Sequence, residues 1–133
     1  MLTVAENREL GRVRAAPPAI ARRLAAERGM PSERAERTVN EMLKFLSACA
    51  LSDEPLVPSP DVDDAWHAFI LDTEAYQDYC ESAFGQLIHH TPGFDGDVET
   101  AYRRTRELIA GRFGLDAELW PAAGADCGRC HGP

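Results

Sequence analysis

The middle of this 133-residue chain contains no basic side chain. Residues 45–100 carry twelve Asp or Glu and no Lys or Arg, a charge of −12 between a leading segment of +3 and a trailing one of +1. Many of these acids are expected simply to solvate helix surfaces. Such a segment repels phosphate backbones and anionic lipid, so we expect neither nucleic acid nor membrane as a partner. A cation, a small molecule or a basic protein partner remains electrostatically compatible.

Long apolar runs are also missing. No window approaches the 18 apolar residues of a membrane span, and the first residues do not resemble a secretory leader. We therefore expect a cytoplasmic protein. In that compartment Cys49, Cys80, Cys127 and Cys130 should be reduced thiols or metal ligands and not disulfides.

Val and Ile are scarce, and strand-like alternation never persists. These absences favour an all-α fold, a single compact domain of about five helices over residues 1–121. A short irregular Gly/Cys-rich tail is expected at 122–133. Capping and helix-breaking residues predict five helices and one short turn. The first helix covers Ala19–Arg28, the second runs from a Ser32 cap to Cys49/Ala50, and the third begins at Ser59-Pro60. The fourth runs from a Thr73 cap to Gly85 and the fifth from an Asp97 cap to Gly114, and the short turn follows at Leu115–Pro121.

The most informative segment lies between Pro58 and Pro92. It contains, in order, Val62-Asp63-x-x-Trp66-His67, Thr73-x-x-Tyr76-x-x-Tyr79-Cys80, Phe84-Gly85 and His89-His90-x-Pro92. This series resembles the signature of the glycine-rich domain-containing protein-like family, in its short bacterial form without the long glycine-rich region. The resemblance implies a fold and a motif but no reaction.

Asp63 and His67 are four positions apart, so a helix places them on one face, close enough for a carboxylate–imidazole contact. Such a contact is the usual outer shell of a metal-bound histidine, and it is also an ordinary helix-surface pair. If Thr73 begins an antiparallel helix, His67 and Cys80 face each other. In one straight helix they would lie on opposite faces, roughly 20 Å apart. The cap signal at Thr73 favours the hairpin.

These spacings predict a metal site built from His67, Cys80 and one or both of His89 and His90, with Asp63 behind His67. Imidazole and thiolate ligands suit zinc first, and copper or iron as alternatives. If only one of the adjacent histidines is used, His90 is the expected bystander. The alternative is that His67 and Cys80 pack in the core, where a free cysteine behaves as a small apolar side chain.

A second pattern, Cys127-Gly-Arg-Cys130-His131, matches the haem-attachment string. Haem is not expected, because that attachment requires export, and a thioredoxin-like role lacks its βαβ context. A zinc chelate, either separate or folded back towards the histidines, is favoured over haem and redox chemistry, and a tail with unused thiols is the equal alternative. No Gly-rich phosphate loop is present, so no nucleotide is expected.

Three functions remain open at this point. The first is a small helical metal-binding protein. The second is an enzyme in which Asp63 orients His67, which then activates a metal-bound water or the Cys80 thiol. The third is a metal-free acidic adaptor for a basic partner.

Overall fold

Five α-helices and one 3-10 turn make up the described part of the chain, which in this computed structural model is residues 13–91 and 93–122. The elements are α1 (Pro18–Arg28), α2 (Ser32–Leu51), α3 (Pro60–Ile70), α4 (Thr73–Phe84), α5 (Val98–Arg112) and the turn Ala117–Leu119. These residues contain no strand, which confirms the all-α prediction. None of their helices is long and apolar enough to cross a bilayer. The predicted tail lies outside the described residues from position 123 onward.

Most helix ends follow from local chemistry, as the sequence predicted. Gly29 and Gly85 end α1 and α4 in the left-handed conformation, with φ of 61° and 71°, which a residue without a Cβ adopts at little cost. The hydroxyl of Ser59 accepts a hydrogen bond from the Val62 amide, and Pro60 opens α3. The Asp97 carboxylate accepts from the Thr100 amide and begins α5.

Two predicted caps were wrong by one position. Ser32 lies inside α2, Pro31 precedes it, and no side chain caps that end. Asp72 replaces Thr73 as the cap of α4, because its carboxylate accepts the Ala75 amide at 3.2 Å. Both Asp72 and Thr73 carry a cap-competent oxygen, and the tight turn after α3 places the earlier one at the helix end.

Helix α2 is central and packs against α1, α3 and α5, while α3 also contacts α1 and α4. The apolar face of α2 is buried at Ala35, Val39, Met42, Leu43 and Leu46, and it also includes Phe45 and Ala48. Trp66 and Trp120 are both buried and both contact Phe45, with ring centroids 5.1 and 6.3 Å from its ring. Burial of each aromatic side chain of this size stabilises the fold by about 1.5–3 kcal/mol.

Glu41 and Lys44 of α2 form an ion pair whose members also bind the segment after α5. Glu41 is 2% exposed and accepts hydrogen bonds from Lys44 Nζ at 2.7 Å and from the Asp116 amide at 3.1 Å. Lys44 Nζ also donates to the Gly114 carbonyl at 2.8 Å. Arg37 completes the attachment with two hydrogen bonds to the Asp116 carboxylate.

Candidate metal centre

Asp63 and His67 lie one turn apart on α3, on the face that the Ser59-Pro60 helix start sets. The Asp63 side chain is 12% exposed and the His67 side chain is 48% exposed. Asp63 Oδ1 is 3.6 Å from His67 Nε2, so the predicted carboxylate–imidazole contact is present. The acid is in the first turn, where the helix dipole already favours negative charge.

His90 reaches the same place from the segment that follows α4. Gly85 turns the chain, and the buried Ile88 then anchors the segment, because its carbonyl accepts a hydrogen bond from the Tyr76 hydroxyl. That hydroxyl in turn accepts from Trp66 Nε1 at 2.9 Å. The anchored segment stacks the His90 ring against Trp66, with ring centroids 4.2 Å apart.

The donor atoms of Asp63, His67 and His90 all lie within 4.8 Å of one another, so this group could hold a metal ion. His90 Nε2 is 2.9 Å from His67 Nε2 and 2.9 Å from Asp63 Oδ1. A neutral imidazole nitrogen has either one hydrogen or one lone pair, so it cannot form a good hydrogen bond with both neighbours. A cation that accepts all three lone pairs removes this conflict.

The triangle of donor atoms has the right size for such an ion. Its sides are 2.9, 2.9 and 3.6 Å. A point about 2.1 Å from all three atoms, a normal zinc bond length to nitrogen or oxygen, lies roughly 1 Å outside their plane. Three protein donors would leave one position of a four-coordinate ion to be filled by another ligand.

A cavity of about 290 Å³ adjoins the donor group. Asp63 and His90 line it, together with Phe45, Trp66 and Val57, and the exposed Thr91 lies at its edge. The sequence predicted neither the cavity nor the contribution of the loop before α3. The prolines between residues 51 and 60 showed only that this stretch is not helical.

The other predicted ligands lie elsewhere. The chain breaks between α3 and α4 as expected and the two helices are in contact, yet Cys80 is fully buried and is not among the three residues grouped by their donor atoms. His89 is exposed, lines the cavity and is also outside the group, whereas His90, the expected bystander, belongs to it. Asp63 was expected behind His67 and instead offers an oxygen directly. Cys127, Cys130 and His131 lie outside the described residues.

Neither described thiol resembles an activated nucleophile. Burial raises the pKa of the Cys80 thiol, and it raises the pKa of Cys49, on the cavity wall, to about 12. The reactive form of cysteine is the thiolate, which such values suppress at neutral pH. The arrangement therefore favours metal chemistry at the histidines over thiol chemistry.

If Asp63, His67 and His90 hold a metal ion, Tyr76→Phe is expected to weaken its binding about tenfold, because the hydroxyl that positions the His90 segment is lost. The substitution also leaves Trp66 Nε1 and the Ile88 carbonyl without their partner, which costs about 1–3 kcal/mol. Tyr79→Phe is the matched control, since that hydroxyl donates to the Arg14 carbonyl, far from the His90 segment in sequence. Calorimetric titration and urea unfolding of both variants would measure the two effects. Equal metal affinity in the two variants would contradict the positioning role.

Comparison with known proteins identifies the family. A family model described as UCP032817-like matches residues 7–100, a range that includes α1 to α4 and all three donor residues. A search of curated proteins and a search of solved structures each found no match. The glycine-rich domain-containing protein-like assignment was wrong: it relied on the segment between Pro58 and Pro92, whereas the matching model extends over four helices and is a different one. The chain belongs to the UCP032817-like family.

Proposed function

We propose that this small helical protein binds one divalent transition-metal ion, zinc in the first place, through Asp63, His67 and His90. The observation that carries the proposal is the convergence of one oxygen and two imidazole nitrogens at 2.9, 2.9 and 3.6 Å. Two nitrogens and one carboxylate oxygen suit zinc, and the same set on one face of an ion also suits iron(II). Copper is the third candidate, because imidazole binds it well.

The number of ligands bears on the role of the ion. Structural zinc sites are closed by four protein ligands, whereas catalytic sites have three and keep a position open for water or substrate. Three protein donors next to a cavity match the catalytic type of zinc site. We therefore favour a metal-dependent reaction on a small molecule over a metal-free adaptor, with the ion activating a water that it binds.

The direct test is a zinc titration of untagged, chelator-stripped protein, followed by calorimetry and elemental analysis. We expect one equivalent at the donor group. At free zinc 100 times the Kd, binding should stabilise the fold by about 2.7 kcal/mol. For a chain of this length that is a rise in melting temperature of roughly 10 °C.

The same titration on a Cys127→Ser/Cys130→Ser variant separates this site from a chelate formed by the C-terminal cysteines. The proposal requires that the double variant keep its equivalent of zinc. Less than about 0.2 equivalents of zinc, iron or copper, together with unchanged melting, would refute metal binding and favour the acidic adaptor.

A further inference from the structure

We propose that the cavity beside the donor group binds a small uncharged molecule whose single lone-pair donor coordinates the metal. This inference depends on the proposed function, because the ion supplies the attachment point. The ligand class follows from three features of the cavity: its shared wall with the metal site, its size and lining, and its charge.

The cavity and the metal site share a wall. Asp63 and His90 belong to the donor group and also line the cavity. The Asp63 and His90 side chains are 12% and 16% exposed, so this side of the group is largely enclosed by protein. A ligand in the cavity would therefore have its donor atom beside two of the three residues that hold the ion.

The size and lining of the cavity indicate a compact, partly apolar ligand. A volume of about 290 Å³ is at the small end of the range for ligand pockets, which begins at about 300 Å³. Phe45, Trp66, Leu56, Val57, Ile88 and Phe94 supply much of the wall. One or two rings would fill such a space and gain from leaving water.

The charge of the lining excludes anionic ligands. Asp63 and Glu54 are the acids that line the cavity, and no Lys or Arg lines it among the described residues. Arg104 approaches from outside and is already bound to Glu54 at 3.1 Å and to the Pro55 carbonyl at 2.9 Å. Phosphates and carboxylates are recognised by Arg or Lys forks, and this cavity offers none to the far end of a ligand. A cationic ligand would be repelled by the bound metal ion, and Glu54 is already paired with Arg104, so an uncharged molecule is the better fit.

Three probes with the same donor test this inference on the zinc-loaded protein: imidazole, 4-phenylimidazole and 4-(imidazol-4-yl)benzoate. 4-Phenylimidazole should bind about tenfold more tightly than imidazole, because its phenyl ring is buried in the cavity. The carboxylate of the third probe should cancel that gain, because it enters a cavity without a basic partner. Calorimetry gives the three affinities, and the visible spectrum of cobalt-substituted protein shows whether the imidazole nitrogen reaches the ion.

Two variants locate the bound ring. Thr91→Trp fills the cavity from its exposed edge and should weaken 4-phenylimidazole about tenfold without changing zinc stoichiometry. Gln86→Trp is the control: Gln86 is exposed, belongs to the same segment and does not line the cavity. This variant should change neither the affinity for 4-phenylimidazole nor the zinc stoichiometry.

The outcomes separate the two proposals. If zinc binds but the three probes have equal affinities, or 4-phenylimidazole binds equally well without zinc, the ligand inference fails and the metal site stands. If the benzoate probe binds most tightly, the charge assignment is wrong. If no zinc binds, the proposed function fails, and the ligand inference fails with it.

Discussion

His90→Ala is expected to reduce zinc affinity by at least about 100-fold, while the neighbouring His89→Ala leaves it unchanged within about twofold. His90 Nε2 is the donor atom that lies 2.9 Å from each of the other two, so its removal leaves only the Asp63–His67 pair at 3.6 Å. Loss of a partner that only orients a ligand already costs about 10- to 100-fold, and loss of the ligand itself should cost more. Competition titration with a chromophoric zinc chelator measures both affinities.

His89→Ala is a demanding control, because it removes the same side chain one position away. Asp63→Asn adds a second comparison, since it preserves the shape of the side chain and removes its charge. It should weaken zinc binding too, because a neutral amide oxygen is a poorer zinc ligand than a carboxylate. Equal losses in the two histidine variants, or no loss in His90→Ala, would rule out the proposed ligand set.

Lys44→Met should lower the free energy of unfolding by about 3 kcal/mol, because it leaves the buried Glu41 carboxylate without its cation. Lys44 Nζ is 2.7 Å from that buried carboxylate and 2.8 Å from the carbonyl of the exposed Gly114, so the main cost is the unpaired charge of Glu41. Urea unfolding gives the free energy, and the melting temperature should fall by roughly 10 °C.

A second substitution distinguishes lost charge pairing from lost packing. Adding Glu41→Gln to Lys44→Met removes the unpaired charge and keeps an oxygen for the Asp116 amide, so more than half of the lost stability should return. Arg28→Met breaks the more exposed pair with Asp64 and should change stability by less than about 1 kcal/mol. A Lys44→Met protein as stable as wild type would show that Glu41 does not need its partner.

The fold was largely predictable because its signals are local. Gly29, Gly85, Ser59 and Asp97 mark helix ends through contacts within a few residues, and the structure confirms each of them. The choice between Asp72 and Thr73 was not predictable, because both can cap a helix and the turn decides between them.

The candidate site was predictable only where a helix sets the geometry. The spacing of four positions predicted that Asp63 and His67 lie on one helix face, and the structure places their side chains in contact there. The choice of His90 over His89 depends on a non-helical segment whose path is held by the hydroxyl of Tyr76 on the Ile88 carbonyl. Cys80 looked like a ligand because an antiparallel hairpin would make it face His67, but packing in the core buries it completely. Contacts of this kind connect distant parts of the chain, and residue spacing does not encode them.

The order of the donor residues along the chain has a consequence for biosynthesis. Asp63 and His67 are one helical turn apart, and His90 follows Asp63 by 27 positions, so short loops close the group at a small entropic cost. All three precede α5, which means that the whole ligand set leaves the ribosome before Val98–Arg112 has fully emerged. An ion captured at that stage would join α3 to the segment after α4 in the nascent chain, before the last helix arrives to complete the core.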